Sequence, residues 1–207
     1  MKFGPQCKIC RREGKKLFLK GDRCNAAKCP LLKRKYPPGM HGPKGYGRLS
    51  EYGVQLRAKQ CLKRSYNILE QQIKNYFKKA KRLKGDTGVN FMKLIELRLD
   101  SVIYLAGFVN SRKNARQTVS HGNIFVNNKA VDIPSYQVKV GDVITPRPKK
   151  EITDKVSEQL TSRKDQGLKS WFNVDAKNLK ITILKEPEPE DLPKEFDTKL
   201  IIEFYNR

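Results

Sequence analysis

An α+β fold in successive parts is what this sequence predicts, and three observations carry the prediction. Apolar residues recur at helical spacing from residue 49 to residue 84. Residues 98 to 142 read as a helix, a turn, a second helix and a hairpin, so a small antiparallel sheet must close over them. Ahead of both stand two close cysteine pairs and a Pro- and Gly-rich stretch, with too few apolar residues for a core of their own. The expected architecture is an N-terminal cysteine knuckle and extended arm (1–48), a helical domain (49–97), and a helix-turn-helix module with an antiparallel β-sheet (98–185). The tail (186–207) is expected to return and complete the helical domain.

Charge narrows the class of partner before any motif does. The chain has 207 residues, 38% of them hydrophobic, which allows one or two domains with a modest core. Lys and Arg number 44 against 21 acids, a net charge of +23, the balance of a protein that neutralises phosphates. The excess is uneven: fourteen cations to two acids in residues 1–50, ten to two in 51–85, ten to five in 86–150, and ten to twelve in 151–207. Contact with a polyanion is thus expected in the first two thirds. No apolar run approaches the roughly 18–20 residues of a membrane span, and no charged-then-apolar leader opens the sequence. The expectation is a soluble, unexported chain with no membrane partner.

Cys7 and Cys10 flank two residues, Cys24 and Cys29 flank four, and thirteen residues separate the pairs. Two knuckles joined by a short loop suit tetrahedral coordination of one structural zinc ion by four thiolates. The same spacing admits two disulfides or four reduced thiols, although disulfides fit poorly with a leaderless chain. Arg11, Arg12, Lys15, Lys16, Lys20, Arg23 and Lys28 crowd this segment, and Cys61, alone in a helical pattern, reads as a small core residue. Residues 33–50 are too rich in Pro and Gly for regular structure. They read either as a solvated linker or as an extended basic arm, with Tyr36, His41 and Tyr46 available to stack on bases. His41 has no evident partner for catalysis or metal binding.

From Leu49 to about Lys84 the pattern is helical, with Ser50 as cap and Leu56, Leu62, Tyr66, Ile73 and Phe77 among its apolar stripes. Its other faces carry Arg57, Lys59, Lys63, Arg64, Lys74, Lys78, Lys79, Lys81 and Arg82, almost without acids, where a merely solvated face would mix the signs. A further helix follows from Val89 to Leu99, with Phe91, Leu94 and Ile95 inward. In the module, Ser111 is a good N-cap and Gly122 stands where a helix takes a left-handed C-terminal residue. Ala115, Thr118 and Val119 then face inward, and Arg112, Lys113, Arg116 and Gln117 outward. Ile124, Val126 and the turn pair Asn127-Asn128 begin a hairpin whose return passes through Val131, Ile133, Tyr136, Val138 and Val143. A polar helix is expected from about Glu151 to Lys164, and a strand from Leu179 to Lys185. Trp171 is expected to close the small sheet, stacking on a base being the alternative. Residues 186–193 turn acidic, and the apolar end Leu200-Ile201-Ile202-Glu203-Phe204-Tyr205 must dock, most simply on the helices of residues 50–90.

The residues also carry a resemblance. Arg98-Leu99-Asp100, Gly107-Phe108, Ser111-Arg112, Ala115-Arg116-Gln117, His121-Gly122, Val126-Asn127 and the run from Val131 to Tyr136 resemble the RNA-binding module named after small-subunit ribosomal protein four. That module also occurs in pseudouridine synthases, a tyrosyl-tRNA synthetase and a heat-shock protein. The flanks Pro37-Pro38-Gly39-Met40-His41-Gly42, Ser50 to Gln60 and Lys81 to Gly88 are similar to the bacterial ribosomal protein four family itself, so the resemblance spans essentially the whole chain. Three positions depart from the family pattern: Leu105 in place of Arg, Asn128 in place of Gly at the hairpin turn, and Ala130 in place of a basic or branched residue.

The resemblance implies a structural protein that binds small-subunit rRNA early, nucleates assembly of the subunit body and contributes to translational accuracy. It implies neighbours in ribosomal protein five and, functionally, protein twelve, a place near the channel through which mRNA enters, and a cytoplasmic, ribosome-bound location. Taken with the charge pattern, it gives as RNA-contact candidates Arg11, Arg12, Lys35, Tyr36 and His41 in the first part, and Arg57, Lys59, Lys63, Arg64, Arg82 and Lys84 in the second. In the module the candidates are Arg98, Ser111, Arg112, Arg116, Gln117, His121, Asn127 and Lys129. An RNA-docking enzyme such as a pseudouridine synthase is the competing class. It fails on content, because no paired carboxylate, Cys-His or Ser-His constellation remains with a domain to hold it.

Overall fold

The computed structural model describes residues 4–162 and 169–207. In chain order the elements are α1 (Gln6–Glu13), α2 (Asp22–Asn25), α3 (Pro30–Lys33), a 3₁₀ turn (Gly42–Lys44), α4 (Glu51–Ser65), α5 (Glu70–Arg82), α6 (Thr87–Glu96), α7 (Leu99–Leu105) and α8 (Arg112–Ser120). There follow β1 (Ile124–Val126), β2 (Lys129–Ala130), β3 (Val143–Pro146), α9 (Lys150–Ser162), β4 (Phe172–Asp175), β5 (Lys180–Ile183) and α10 (Thr198–Asn206). They form two compact units, residues 1–77 with 194–207 and residues 78–193. The division falls inside α5, not at residue 97, because α6 is bound to the later chain: Gln137 Nε2 donates to the Leu94 carbonyl and the Val138 amide to that of Leu97.

In the first unit α1 ends on left-handed Gly14, and Cys10, Leu17 and Leu19 make a small core against which Ile9 and Cys61 pack. The stretch after α3 is folded back where an extended arm was expected. Arg11 donates from Nε to the Tyr36 carbonyl and from its other arm to that of Pro37, both at 3.0 Å, and the Tyr46 hydroxyl donates to the Arg11 carbonyl. Gly42 makes this possible, since a Cβ there would lie 2.0 Å from the Pro37 oxygen. Ser50 caps α4 as expected, its hydroxyl accepting from the Gly53 amide. The expected single run of helix is two helices. Asn67 turns left-handed (φ 54°), and the amides of Asn67 and Ile68 return to the carbonyls of Arg64 and Lys63, the hydrogen-bond pattern of a Schellman stop. Ile68 then drops into the core. The apolar tail docks as α10 on α4: Phe204 lies 5.7 Å from Tyr52, Tyr205 lies 5.3 Å from Phe77, and Gln55 donates to Glu203 at 3.0 Å.

In the second unit Asp86 caps α6, whose Phe91, Met92 and Ile95 are buried. α7 closes on a Schellman stop at Gly107, and α8 on another at Gly122, each sending the next residue's amide back across the helix end. The sheet has the order β2-β1-β3-β5-β4, antiparallel throughout. Asn127 and Asn128 both take positive φ (50° and 65°), the geometry of a type I′ turn. The hairpin's return is shorter than expected: β2 is only two residues, and 131–142 runs as a loop in which Pro134 has no amide to offer a ladder. α9 is described as far as Ser162, and the expected end of that helix at Lys164 lies outside the described residues. Trp171, 1% exposed and edge-on to Phe172 at 4.8 Å, belongs to the core and is not free to stack on a base. Around it Leu99, Val102, Ile103, Phe108, Ala115, Val119, Ile124, Ile144 and Ile181 bury the inner faces of α7, α8 and the sheet.

Candidate nucleic-acid interface

The module's polar face follows from what its apolar face must do. With Ala115 and Val119 fully buried, the 3.6-residue repeat turns Lys113, Asn114, Gln117 and Ser120 to solvent and leaves Arg112 and Arg116 half-buried at the flanks. Ser111 is buried and caps α8, accepting from the Asn114 amide at 3.2 Å, so it orients this face and does not itself present to a ligand. Arg112 is held 4.5 Å above the ring of Tyr104, a cation–π contact worth about 0.5–1 kcal/mol that fixes its long side chain. Tyr104 was not among the expected residues. Its signal was its place at the end of α7, one short turn before α8. His121, at the end of α8, and Lys129, on β2, are exposed.

One expected RNA contact in this unit, Arg98, proves structural, and a second, Asn127, is exposed while also bracing the fold. Arg98 is fully buried, and its Nε and terminal nitrogen donate to the two oxygens of Asp100 at 2.9 and 2.6 Å. A side chain so enclosed cannot meet RNA. Asn127 uses its side chain to brace the hairpin, donating to Asp142 at 2.8 Å and accepting from the Val143 amide at 2.9 Å. Arg82 and Lys84, at and just beyond the end of α5, are exposed as expected.

In the first unit several expected cations are already engaged. Glu13, whose side chain is only 1% exposed, receives Arg57 at 3.2 Å and Arg64 more closely. Burial pushes its carboxyl up, against the pull of the two guanidiniums. Lys59 is 5% exposed and therefore is not a surface contact, because α10 covers it: its Nζ lies 4.5 Å from the Phe204 ring and 2.8 Å from Glu70. Lys63 reaches the second Glu70 oxygen at 3.0 Å, and the Tyr205 hydroxyl donates to the first at 2.8 Å. Burial alone would raise Glu70, but these three donors hold its carboxyl down at about 2. Tyr36 offers no free ring face on one side, since the Arg11 guanidinium sits 4.8 Å over it. Arg12, Lys35 and His41 are exposed.

None of the four N-terminal cysteines is joined in a disulfide, and Cys10 and Cys29 are buried. Burial raises the Cys10 thiol, the Leu17 amide opposes this, and Cys24, Cys7 and Cys29 act on it from nearby. The Lys20 amide donates to Cys24 Sγ at 3.3 Å. Thiols with amide donors aimed at them are a donor set suited to a soft structural ion. Among the described residues, however, no group of three or more His, Cys, Asp or Glu side chains stands at metal-holding spacing. Beside Cys7 opens a cleft of about 440 Å³ whose walls include Lys8, Arg23, Lys28, Lys33 and Arg34. None of these was among the expected contacts, although the density of Lys and Arg from residue 23 to residue 35, with no acid, marked all of them but Lys8.

A helix–turn–helix packed on a small sheet, with a capped basic helix facing outward, defines an RNA-binding module of ribosomal type. Residues 97–144 match the S4 domain, and residues 2–96 match the family described as ribosomal protein S4/S9 N-terminal domain. Over its length the chain is similar to small ribosomal subunit protein uS4 of Thermodesulfovibrio yellowstonii, 47% identical over 204 residues that cover 99% of this chain and 98% of that one. The protein of the same name from Magnetococcus marinus is 47% identical over 205 residues, and that of Thermus thermophilus 46% over 205, each with 99% and 98% coverage. The chain belongs to the family of small ribosomal subunit protein uS4.

Proposed function

We propose that this chain is a structural constituent of the small ribosomal subunit that binds the subunit's rRNA directly, nucleates assembly of the subunit body and contributes to translational accuracy. It is not an enzyme, in keeping with its family. The observation that carries the reading is the outward face of α8. Arg112, Arg116, Gln117 and His121 project from a helix whose other side is locked into the core, a rigid platform of charge and neutral hydrogen-bonding groups. Arginines there neutralise backbone phosphates, and the neutral groups read local shape. The working location is the cytoplasm, on the ribosome, and no helix among the described residues is long and apolar enough to cross a membrane. Ribosomal protein five is the expected neighbour and protein twelve a functional partner, with mRNA nearby where it enters the subunit.

One zinc ion held by Cys7, Cys10, Cys24 and Cys29 is part of the proposal, supported by the donor chemistry of the four free thiols and their paired spacing in the sequence. Bound there, it would supply folding free energy to a segment with little core of its own. The functional reading is tested by titrating the purified chain with naked small-subunit rRNA and with tRNA. Saturable binding to the rRNA, and none of comparable strength to tRNA, is the expected result. Equal binding to both would return the chain to the class of general RNA-docking proteins.

A further inference from the structure

Opposite charges line a second cleft of the first unit without pairing with each other. The cleft, of about 320 Å³, opens where the end of α1, one stripe of α4 and the approach to α10 meet. Its floor is apolar: Val54, Ala58 and Cys61 fall at i, i+4 and i+7 on α4, beside Phe196 and Leu200. Val54 is left 39% exposed, and burial pushes the Cys61 thiol up to about 11, so it stays neutral and belongs with the floor. On the α1 side the walls are cationic. Lys15 is exposed, and Arg57 spends one nitrogen on Glu13, which is enclosed and shared with Arg64. On the α10 side they are anionic. Glu195 is exposed, and Asp197 uses only Oδ1 to cap α10, accepting from the Lys199 and Leu200 amides at 3.0 and 3.3 Å. Lys15 and Glu195 both act on Cys61, with opposite sign, yet neither is in an ion pair among the described residues.

We infer that this cleft binds a short apolar peptide in its zwitterionic form, with the carboxylate on Lys15 and Arg57, the ammonium on Glu195 and Asp197, and the side chains on the floor. Charge selects this ligand, because two carboxylates on one wall repel a phosphate chain and the cations opposite repel a plain amine. Length selects it too. A single amino acid carries both charges on one carbon, whereas an extended dipeptide carries them roughly 6–7 Å apart, which suits walls too distant to pair with each other. The volume agrees, since it lies at the small end of the roughly 300–1,000 Å³ typical of small-molecule sites. A bound dipeptide ties the end of α1 to the approach to α10 and so stabilises the first unit.

The test titrates the full chain calorimetrically with leucyl-leucine, its N-acetyl form, its C-terminal amide and the doubly blocked form. Leucyl-leucine should bind at one site, and each block should weaken it about three- to fivefold, as for one partly exposed ion pair. Lys15→Gln should weaken leucyl-leucine by a similar factor and leave the amide unchanged, and Glu195→Gln should weaken it while leaving the N-acetyl form unchanged. Affinity should also fall above about pH 8, where the peptide's ammonium loses its proton. Ala58→Phe, which fills the floor, should abolish binding; if that variant fails to fold by circular dichroism, the two exposed charge variants decide alone. Absence of saturable binding overturns the site. Equal affinity for the free and doubly blocked forms shows a merely apolar cleft and overturns the charge assignment. Tighter binding of acetyl-Glu-Leu-Leu-Lys amide than of leucyl-leucine shows a seat for an internal segment of a partner protein, and a mass that doubles with concentration and is reduced by Ala58→Phe shows a seat for a second copy; either overturns the free-peptide assignment.

Discussion

Replacing Arg98 by Met separates a core role from an RNA role at a residue whose charge suggests the second. The substitution keeps the aliphatic stem and removes the guanidinium, so Asp100, 4% exposed, loses donors at 2.9 and 2.6 Å. Glu96, 3% exposed, lies two residues before Arg98, so the interior would keep both carboxylates and lose a cation. Breaking one side of a buried ion pair costs about 3–5 kcal/mol. For a unit of residues 78–193, that corresponds to a fall in melting temperature of roughly 10–20 °C. Thermal unfolding followed by circular dichroism reads the loss. Arg98→Met/Asp100→Leu should recover only the part due to Asp100, because the buried Glu96 carboxylate remains without the cation. The folded fraction of the single variant should keep the wild-type salt dependence of rRNA binding. A variant melting within about 2 °C of wild type, with a slope flattened by roughly 0.7–0.9, would refute the core assignment and put Arg98 on the RNA.

Two further predictions concern the first unit. Glu70 has a carboxyl held at about 2 where its ordinary value is 4.5, so between those values the unfolded chain binds more protons than the folded one. Its stabilisation is complete above about pH 4.5 and is lost as pH falls toward 2; allowing for a side chain 31% exposed, about 1–2 kcal/mol is expected, and Glu70→Gln should abolish this part of the acid dependence in pH-series denaturant melts. Protein purified without chelator should contain about one equivalent of zinc by elemental analysis, and its removal should unfold only the segment up to about residue 45. Metal-free protein with all four thiols reduced and that segment still folded would remove zinc from the account.

What could be read in advance depended on how far apart the cooperating residues lie. The caps of α8 were legible because Ser111 and Gly122 act within one helical turn of themselves. The break at Asn67 was not, since Asn is a weaker mark than Gly for a left-handed stop and the apolar spacing runs through it. Arg98 read as surface charge because its partner, Asp100, two residues on, reaches it only after the chain bends into α7. Lys59 read as part of a basic helix face until α10, from the far end of the chain, laid Phe204 and Tyr205 over it. Tyr36 read as a stacking residue in a loose arm, yet Arg11, 25 positions earlier, occupies its ring and its carbonyl. Local signals thus placed the elements and the polar face of α8, and long-range pairing decided which cations remain at the surface.

The central claim is that the outward face of α8 lies on rRNA, and a salt titration of α8 variants against naked small-subunit rRNA tests it most directly. Arg116→Gln should flatten the slope of log affinity against log salt by about 0.7–0.9, the contribution of one phosphate contact. Gln117→Ala, at an exposed neutral position, should weaken binding equally at every salt concentration and leave the slope alone. If both variants fold, as circular dichroism would show, and both keep wild-type affinity and slope, this helix is not part of the RNA interface.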